Sequence, residues 1–294
     1  MTSFVRPGVV TAALLCAALL LALSLAASAA AQPLPDPAVQ AEIVKASDVV
    51  YVRELARMQK SRTLNTDGAA LARVRTSAEP LIRSAPALRA ESGQWQWTAH
   101  VETRAEPVLY CLPGGKIIVS TGLLERIRPT AGELAALLAH AIAHALDGHD
   151  GDEAAARFAK RREAADIDPN RGLLRLGDLL LNLMLAEPQL PEAERAADAL
   201  ALEMMANAGL DPRAALAAWR KVGAQAGAKP PAFPALHPPT PDRLAAMESR
   251  MPAMVALFEK VQRESVATTP APPPQALRPS GGGNAAPKAA PQVR

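Results

Sequence analysis

His140 and His144 stand four residues apart in the segment His140-Ala141-Ile142-Ala143-His144, and His149 follows shortly after. On a helix that spacing is close to one turn of about 5.4 Å, so both imidazoles share a face and can reach one divalent ion. In the His-Glu-x-x-His pattern of zinc hydrolases, the residue after the first histidine is the general base that takes a proton from the nucleophilic water. Here that position is Ala141, whose methyl group can neither accept a proton nor orient water. The segment predicts a metal site that lacks its usual base.

The flanking sequence shows how this helix is placed. Thr130-Ala131-Gly132-Glu133 reads as a capping box that starts it, and Gly148 reads as its C-terminal stop. If the helix continued, His149 would lie about 13 Å along the axis from His140 and on the opposite face. That puts it near the helix end as a capping residue or an outer hydrogen-bonding partner. A His144–His149 site completed by Asp147 or Asp152 would need a sharp reversal at Gly148. Upstream, Gln94–Val101 alternates polar and apolar residues as a half-buried strand does, and Val108–Leu112 and Lys116–Ser120 read as two more strands. Pro113-Gly114-Gly115 between the last two predicts a tight hairpin turn. Helical periodicity covers about 37–62 and 66–84 before the strands. After the metal helix it covers about 152–186 (broken near Asp168-Pro169), 191–208, 211–222 and 240–264, with a Pro-rich loop at 229–241. The fold class expected is mainly α with a small β-sheet, in a single domain.

Composition bounds the rest. Of 294 residues, the first 31 look like a secretory signal: Arg6, an apolar run from Val9 to about Leu25, then Ala27-Ser28-Ala29-Ala30-Ala31. If the run were kept, it would give a membrane contact. Leu15 before Cys16 does not suit a lipidation site. Beyond the signal Cys111 is the single cysteine, so no intramolecular disulfide is available, and its neighbours suggest an inert buried thiol. A formal net charge of +3 with no basic patch among aromatics excludes nucleic acid as the expected partner. Residues 265–294 are rich in Pro, Ala and Gly and predict a disordered tail, leaving 38–264 as the folded domain.

Four blocks of residues resemble one family, in order and in register over about 40–262. Leu112-Pro113-Gly114-Gly115-Lys116-Ile117 with Thr121-Gly122-Leu123-Leu124 looks like the hairpin before the metal helix of metallopeptidase family forty-eight, the HtpX- and BepA-like zinc peptidases. Glu133–His140 is similar to the start of its metal helix. Asp198–Pro212 resembles its second metal-binding helix and the turn after it, and Leu236-His237-Pro238 with Arg243 resembles its His-Pro-…-Arg segment. The resemblance implies a zincin-like fold whose zinc is held by His140, His144 and a glutamate from the later helix. Aligning the family's Glu-Ala-Asp on Ala196-Ala197-Asp198 puts that third ligand on Ala196.

Read this way, the chain lacks both the base, at Ala141, and the third ligand, at Ala196. Zinc is then expected to bind weakly or not at all, since two neutral imidazoles leave the dication uncompensated. Glu192 and Glu203 share the face of Ala196 but sit one or two turns away, and Glu194 is read as pointing elsewhere; Glu192 and His237 are the substitutes to consider. His237 and Arg243 are accessory candidates at the catalytic centre, and Asp198 and His149 are candidate partners behind the ligands. Lys116, Ile117, Ile118, Val119 and Ser120 are read as the edge strand on which a peptide would lie. The functional expectation is an exported peptidase-like protein of the periplasm or envelope that has lost proteolysis and binds unfolded or extended polypeptide. The alternative is a working zinc endopeptidase that degrades misfolded envelope proteins by using substitute ligands. Ala141→Glu alone is expected to restore little, and the pair with Ala196→Glu to restore zinc binding.

Overall fold

The computed structural model describes residues 37–164, 171–188, 190–225 and 230–267; the side chains of 149, 150, 161–164, 266 and 267 are outside it. The expected signal (1–31) and most of the expected tail lie outside the described residues.

Two helices open the fold, α1 (Pro37–Lys60) and α2 (Gly68–Leu88), the second capped by the Asp67 carboxylate accepting from the Ala70 amide. A short 3-10 turn (Ala90–Gln94) leads into β1 (Thr98–Glu102), then β2 (Leu109–Leu112) and β3 (Lys116–Ser120). The remainder is helical: α3 (Thr121–Ile127), α4 (Ala131–Asp147), α5 (His149–Ala164), α6 (Gly172–Ala186), α7 (Pro191–Asn207), α8 (Arg213–Ala224), α9 (Ala232–Leu236) and α10 (Pro241–Ala267). The fold is mainly helical with one small three-stranded mixed sheet, as the residue pattern implied. Among the described residues no helix is long and apolar enough to cross a membrane.

The sheet differs from expectation in two ways. Trp95 and Trp97 precede β1 rather than lying in it, and the Trp97 indole instead donates to the Ser92 carbonyl at 3.0 Å. The strand order is β1-β3-β2, with β3 parallel to β1 and antiparallel to β2. Lys116–Ser120 is therefore the central strand, and its backbone is used on both sides. It cannot receive a peptide by strand addition, which corrects the assignment of those five residues as an edge. The chain segment around Leu64 and Asn65 covers the outer side of β1, leaving β2 as the edge without a strand neighbour among the described residues.

Helices cover both faces of this sheet, which explains why its strands are buried throughout rather than alternately. Leu109, Cys111, Ile117 and Val119 join the core under α2 and α4; Tyr110, Leu112 and Ile118 join a second cluster with α1 and α6. Burial pushes the Cys111 thiol up to about 12, consistent with an unreactive core residue.

The metal helix α4 is anchored at both ends. Thr130 and Glu133 form the capping box, and Gly148 takes a left-handed conformation (φ 82°) with its amide on the His144 carbonyl. Glu133 also binds Lys221 of α8 at 2.6 Å. Burial alone would raise the Glu133 carboxyl, but the Lys221 hydrogen bond and the Thr130 contacts outweigh it and hold it below its usual range. A lowered folded-state value gives stability that is present above the ordinary carboxylate range and lost as pH falls through the folded value. Glu133→Ala is expected to cost about 1 kcal/mol near neutrality. In thermal melts the gap from the parent should close as the pH is taken down below the ordinary carboxylate range and through the lowered folded-state value.

Candidate metal centre

Four buried side chains converge between α4, α7 and the loop after α9. His140 and His144 project from α4, Glu194 from α7 and His237 from just beyond α9, and one ligand atom from each lies within 4.8 Å of all the others. His144 Nε2 is 3.1 Å from His140 Nε2 and 3.2 Å from Glu194 Oε1. His237 Nδ1 is 2.7 Å from the same carboxylate oxygen and 3.5 Å from His140 Nε2.

The third-ligand assignment is therefore corrected. Glu194 occupies the place given to Ala196, and Ala196 is only half-buried, on another face of α7. Glu192 lies exposed in the first turn and substitutes for nothing; Glu203 is exposed as well. The signal for Glu194 was in the sequence. Glu194 and Asp198 are four residues apart, the spacing that puts His140 and His144 on one face, so both carboxylates must point the same way. Matching Glu-Ala-Asp as adjacent letters hid that geometry.

Arg243 holds the carboxylates in place. Its guanidinium donates to both Asp198 oxygens at 2.8 Å, pairs with Glu194 Oε2, and donates to the Pro238 carbonyl beside His237 at 3.0 Å. It lies over the Trp219 ring, 4.3 Å from the centroid, and that ring meets His140 edge-on at 4.7 Å. Asp198 Oδ1 stands 3.0 Å from His140 Nδ1, in a contact too bent to be a full hydrogen bond. That neighbour favours the tautomer with its proton on Nδ1, which leaves Nε2 as a lone pair facing the cluster. The side chain of His149 lies outside the described residues.

The residues fit a divalent ion. Burial pushes His140 down to about 4, so it is neutral and able to ligate at neutral pH. Burial would raise the Glu194 carboxyl, but His237 and His140 nearby, with hydrogen bonds from His144 and His237, hold it well below the usual range. Two carboxylates against one guanidinium leave a net negative charge beside three imidazoles, which suits a dication of zinc type. The expectation of weak or absent metal binding rested on a missing carboxylate that is in fact present.

The pocket in front of the cluster holds only about 10 Å³ and is lined by His140, His144, His237, Ala141, the β2 residues Leu109–Cys111, Met184 and Phe233. Comparison with known proteins agrees with the site. The sequence profile of Peptidase family M48 matches residues 69–251, well over half of the chain. The chain belongs to peptidase family M48. Within that family it is similar to the mitochondrial metalloendopeptidase OMA1 of Schizosaccharomyces pombe, 33% identical over 163 residues covering 53% of this chain and 47% of that protein. The protein of the same name from Arabidopsis thaliana is 30% identical over 164 residues, 53% of this chain and 33% of its own length. That from Saccharomyces cerevisiae is 24% identical over 173 residues, 56% and 50%. The chain thus spans half or less of the length of these curated M48 relatives.

The expectation that peptidase function has been lost is overturned with the site it rested on. It assumed two missing groups, and the ligand set, His140, His144 and Glu194 with His237 beside them, is whole. Ala141 remains as read, at the edge of the metal pocket and 5% exposed.

Proposed function

We propose that this protein is a zinc-dependent metalloendopeptidase acting on unfolded or extended polypeptide. The buried His140–His144–Glu194–His237 cluster carries the reading, and the chain's similarity to M48 metalloendopeptidases supports it. A zinc ion there would polarise the scissile carbonyl and lower the pKa of its water to about 7, supplying a nucleophile near neutral pH without a general-base carboxylate at position 141. The chain's own residues contribute position. His140, His144 and Glu194 sit on rigid helices and keep the ligand geometry, while His237 stands on the loop after α9 and is the ligand able to yield to substrate. A catalytic zinc keeps one position open, and a fourth protein ligand would close it. Substrate would enter along β2, the edge strand bordering the metal pocket, and gain backbone hydrogen bonds by strand addition. The Leu/Ala-rich run near the N-terminus supports export, with misfolded envelope proteins as substrates.

The test is metal analysis of protein purified without chelators, paired with digestion of a denatured protein. Stoichiometric zinc is expected, with slow cleavage that a zinc chelator abolishes and added zinc restores. Absence of zinc, or full zinc with no cleavage between neutral and alkaline pH, would overturn the reading.

A further inference from the structure

The metal pocket has space for about one water molecule and none for a peptide side chain. Adjoining it is a second cavity of about 90 Å³ that shares Leu109, Met184, Phe233 and His237 with the first. Most of its lining is apolar: Val108 just before β2 and Leu109 at its start, Met184 and Leu185 at the end of α6, Phe233 and Leu236 on α9. Arg104 and Glu106 border one side, and both are engaged. Arg104 pairs with Glu102 at 3.5 Å, and Glu106 accepts the Ala232 amide at 2.8 Å, tying the β1–β2 loop to the start of α9. Their opposite charges leave no net attraction for a charged guest.

We propose that this cavity receives the side chain of the substrate residue next to the scissile bond and selects an unbranched or branched aliphatic one, of leucine or methionine size. The inference rests on the metallopeptidase reading and adds what the site prefers to cut. Adjacency sets the position, because a chain laid along β2 with its carbonyl at the cluster puts a neighbouring side chain over Leu109 and Phe233. Size sets the guest. An apolar cavity of about 150 Å³ accepts a benzene ring, so one of this smaller volume fits a few methylene groups better than an aromatic ring. Charged side chains are disfavoured, since an ammonium or carboxylate placed among Val108, Met184 and Leu236 would lose its water, and Arg104 and Glu106 at the rim already hold partners.

The measurement is calorimetric titration of the zinc-loaded full chain with amidated hexapeptides Gly-Ala-Ala-X-Ala-Gly, run alongside their cleavage rates. Leucine and methionine at X should bind about 10–100-fold more tightly than alanine, with phenylalanine, lysine and glutamate no better than alanine. Leu236→Ala should extend acceptance to phenylalanine, and Leu236→Trp should bring leucine down to the alanine level. Leu236 adjoins His237, so zinc content is measured in each variant, and Leu185→Trp fills the cavity from the opposite wall. Leucine binding no better than alanine, or a preference surviving both tryptophans, overturns the proposal. Selective binding without cleavage would sustain the side-chain site and sink the peptidase reading; cleavage without preference would do the reverse.

Discussion

Replacing Glu194 by glutamine is expected to weaken zinc binding by about two to three orders of magnitude, read by competition with a chromophoric chelator. Structural zinc sites bind with about 10–16 kcal/mol from four ligands, so one ligand carries about 3–4 kcal/mol, and each 1.4 kcal/mol is tenfold. Glutamine keeps the volume and an acceptor oxygen, so a loss reports charge and ligation rather than packing. The same change leaves Arg243 with Asp198 as its carboxylate partner, and that bidentate pair at 2.8 Å keeps the guanidinium neutralised. The metal-free variant should therefore fold, which far-ultraviolet circular dichroism can verify. Ala196→Glu is the counterpart. A carboxylate on that half-buried, outward face of α7 should leave zinc affinity unchanged. Unaltered affinity in Glu194→Gln, or tighter binding in Ala196→Glu, would return the third ligand to the position first read from the letters.

Much of this architecture could be read from residue spacing because its signals are local. The capping box at Thr130–Glu133, the stop at Gly148 and the Pro113–Gly115 turn each act within a few residues, and each appears where the pattern put it. Strand order was not legible. The parallel pairing of β1 with β3 joins Thr98 to Lys116, and nothing in either segment names its partner. Burial of both sheet faces removed the polar–apolar alternation that would have marked an edge. The short helix α9 was hidden in a Pro-rich loop because five residues show little periodicity. Yet it positions His237 and a wall of the second cavity. Arg243 was visible as a family-like residue. What it does depends on Asp198, Glu194, Pro238 and Trp219 meeting in space, which the sequence separation does not reveal.

Ala141→Glu is expected to raise kcat by about 10²–10⁴-fold with zinc affinity little changed, and without any second substitution. This revises the expectation that the single change would do little, since that argument required the ligand now found at Glu194. Ala141 follows His140 on α4 and lines the metal pocket, so a side chain there can reach the water position in front of the cluster. The parent offers a methyl group at that point. Its rate should rise with pH as the nucleophilic water ionises, with no acidic limb from a neighbouring carboxylate. A glutamate adds a group that takes the proton and returns it to the leaving amine, so the profile of kcat/KM should become bell-shaped. The pocket's space of about 10 Å³ means the longer side chain must displace its water or shift Met184, a flexible neighbour. Zinc content and melting temperature, measured together, separate a crowded site from an inactive one. A zinc-loaded, stably folded Ala141→Glu protein that cleaves no faster than the parent would show that the missing base is not what limits this site. The limit would then lie in His237, the ligand that has to leave.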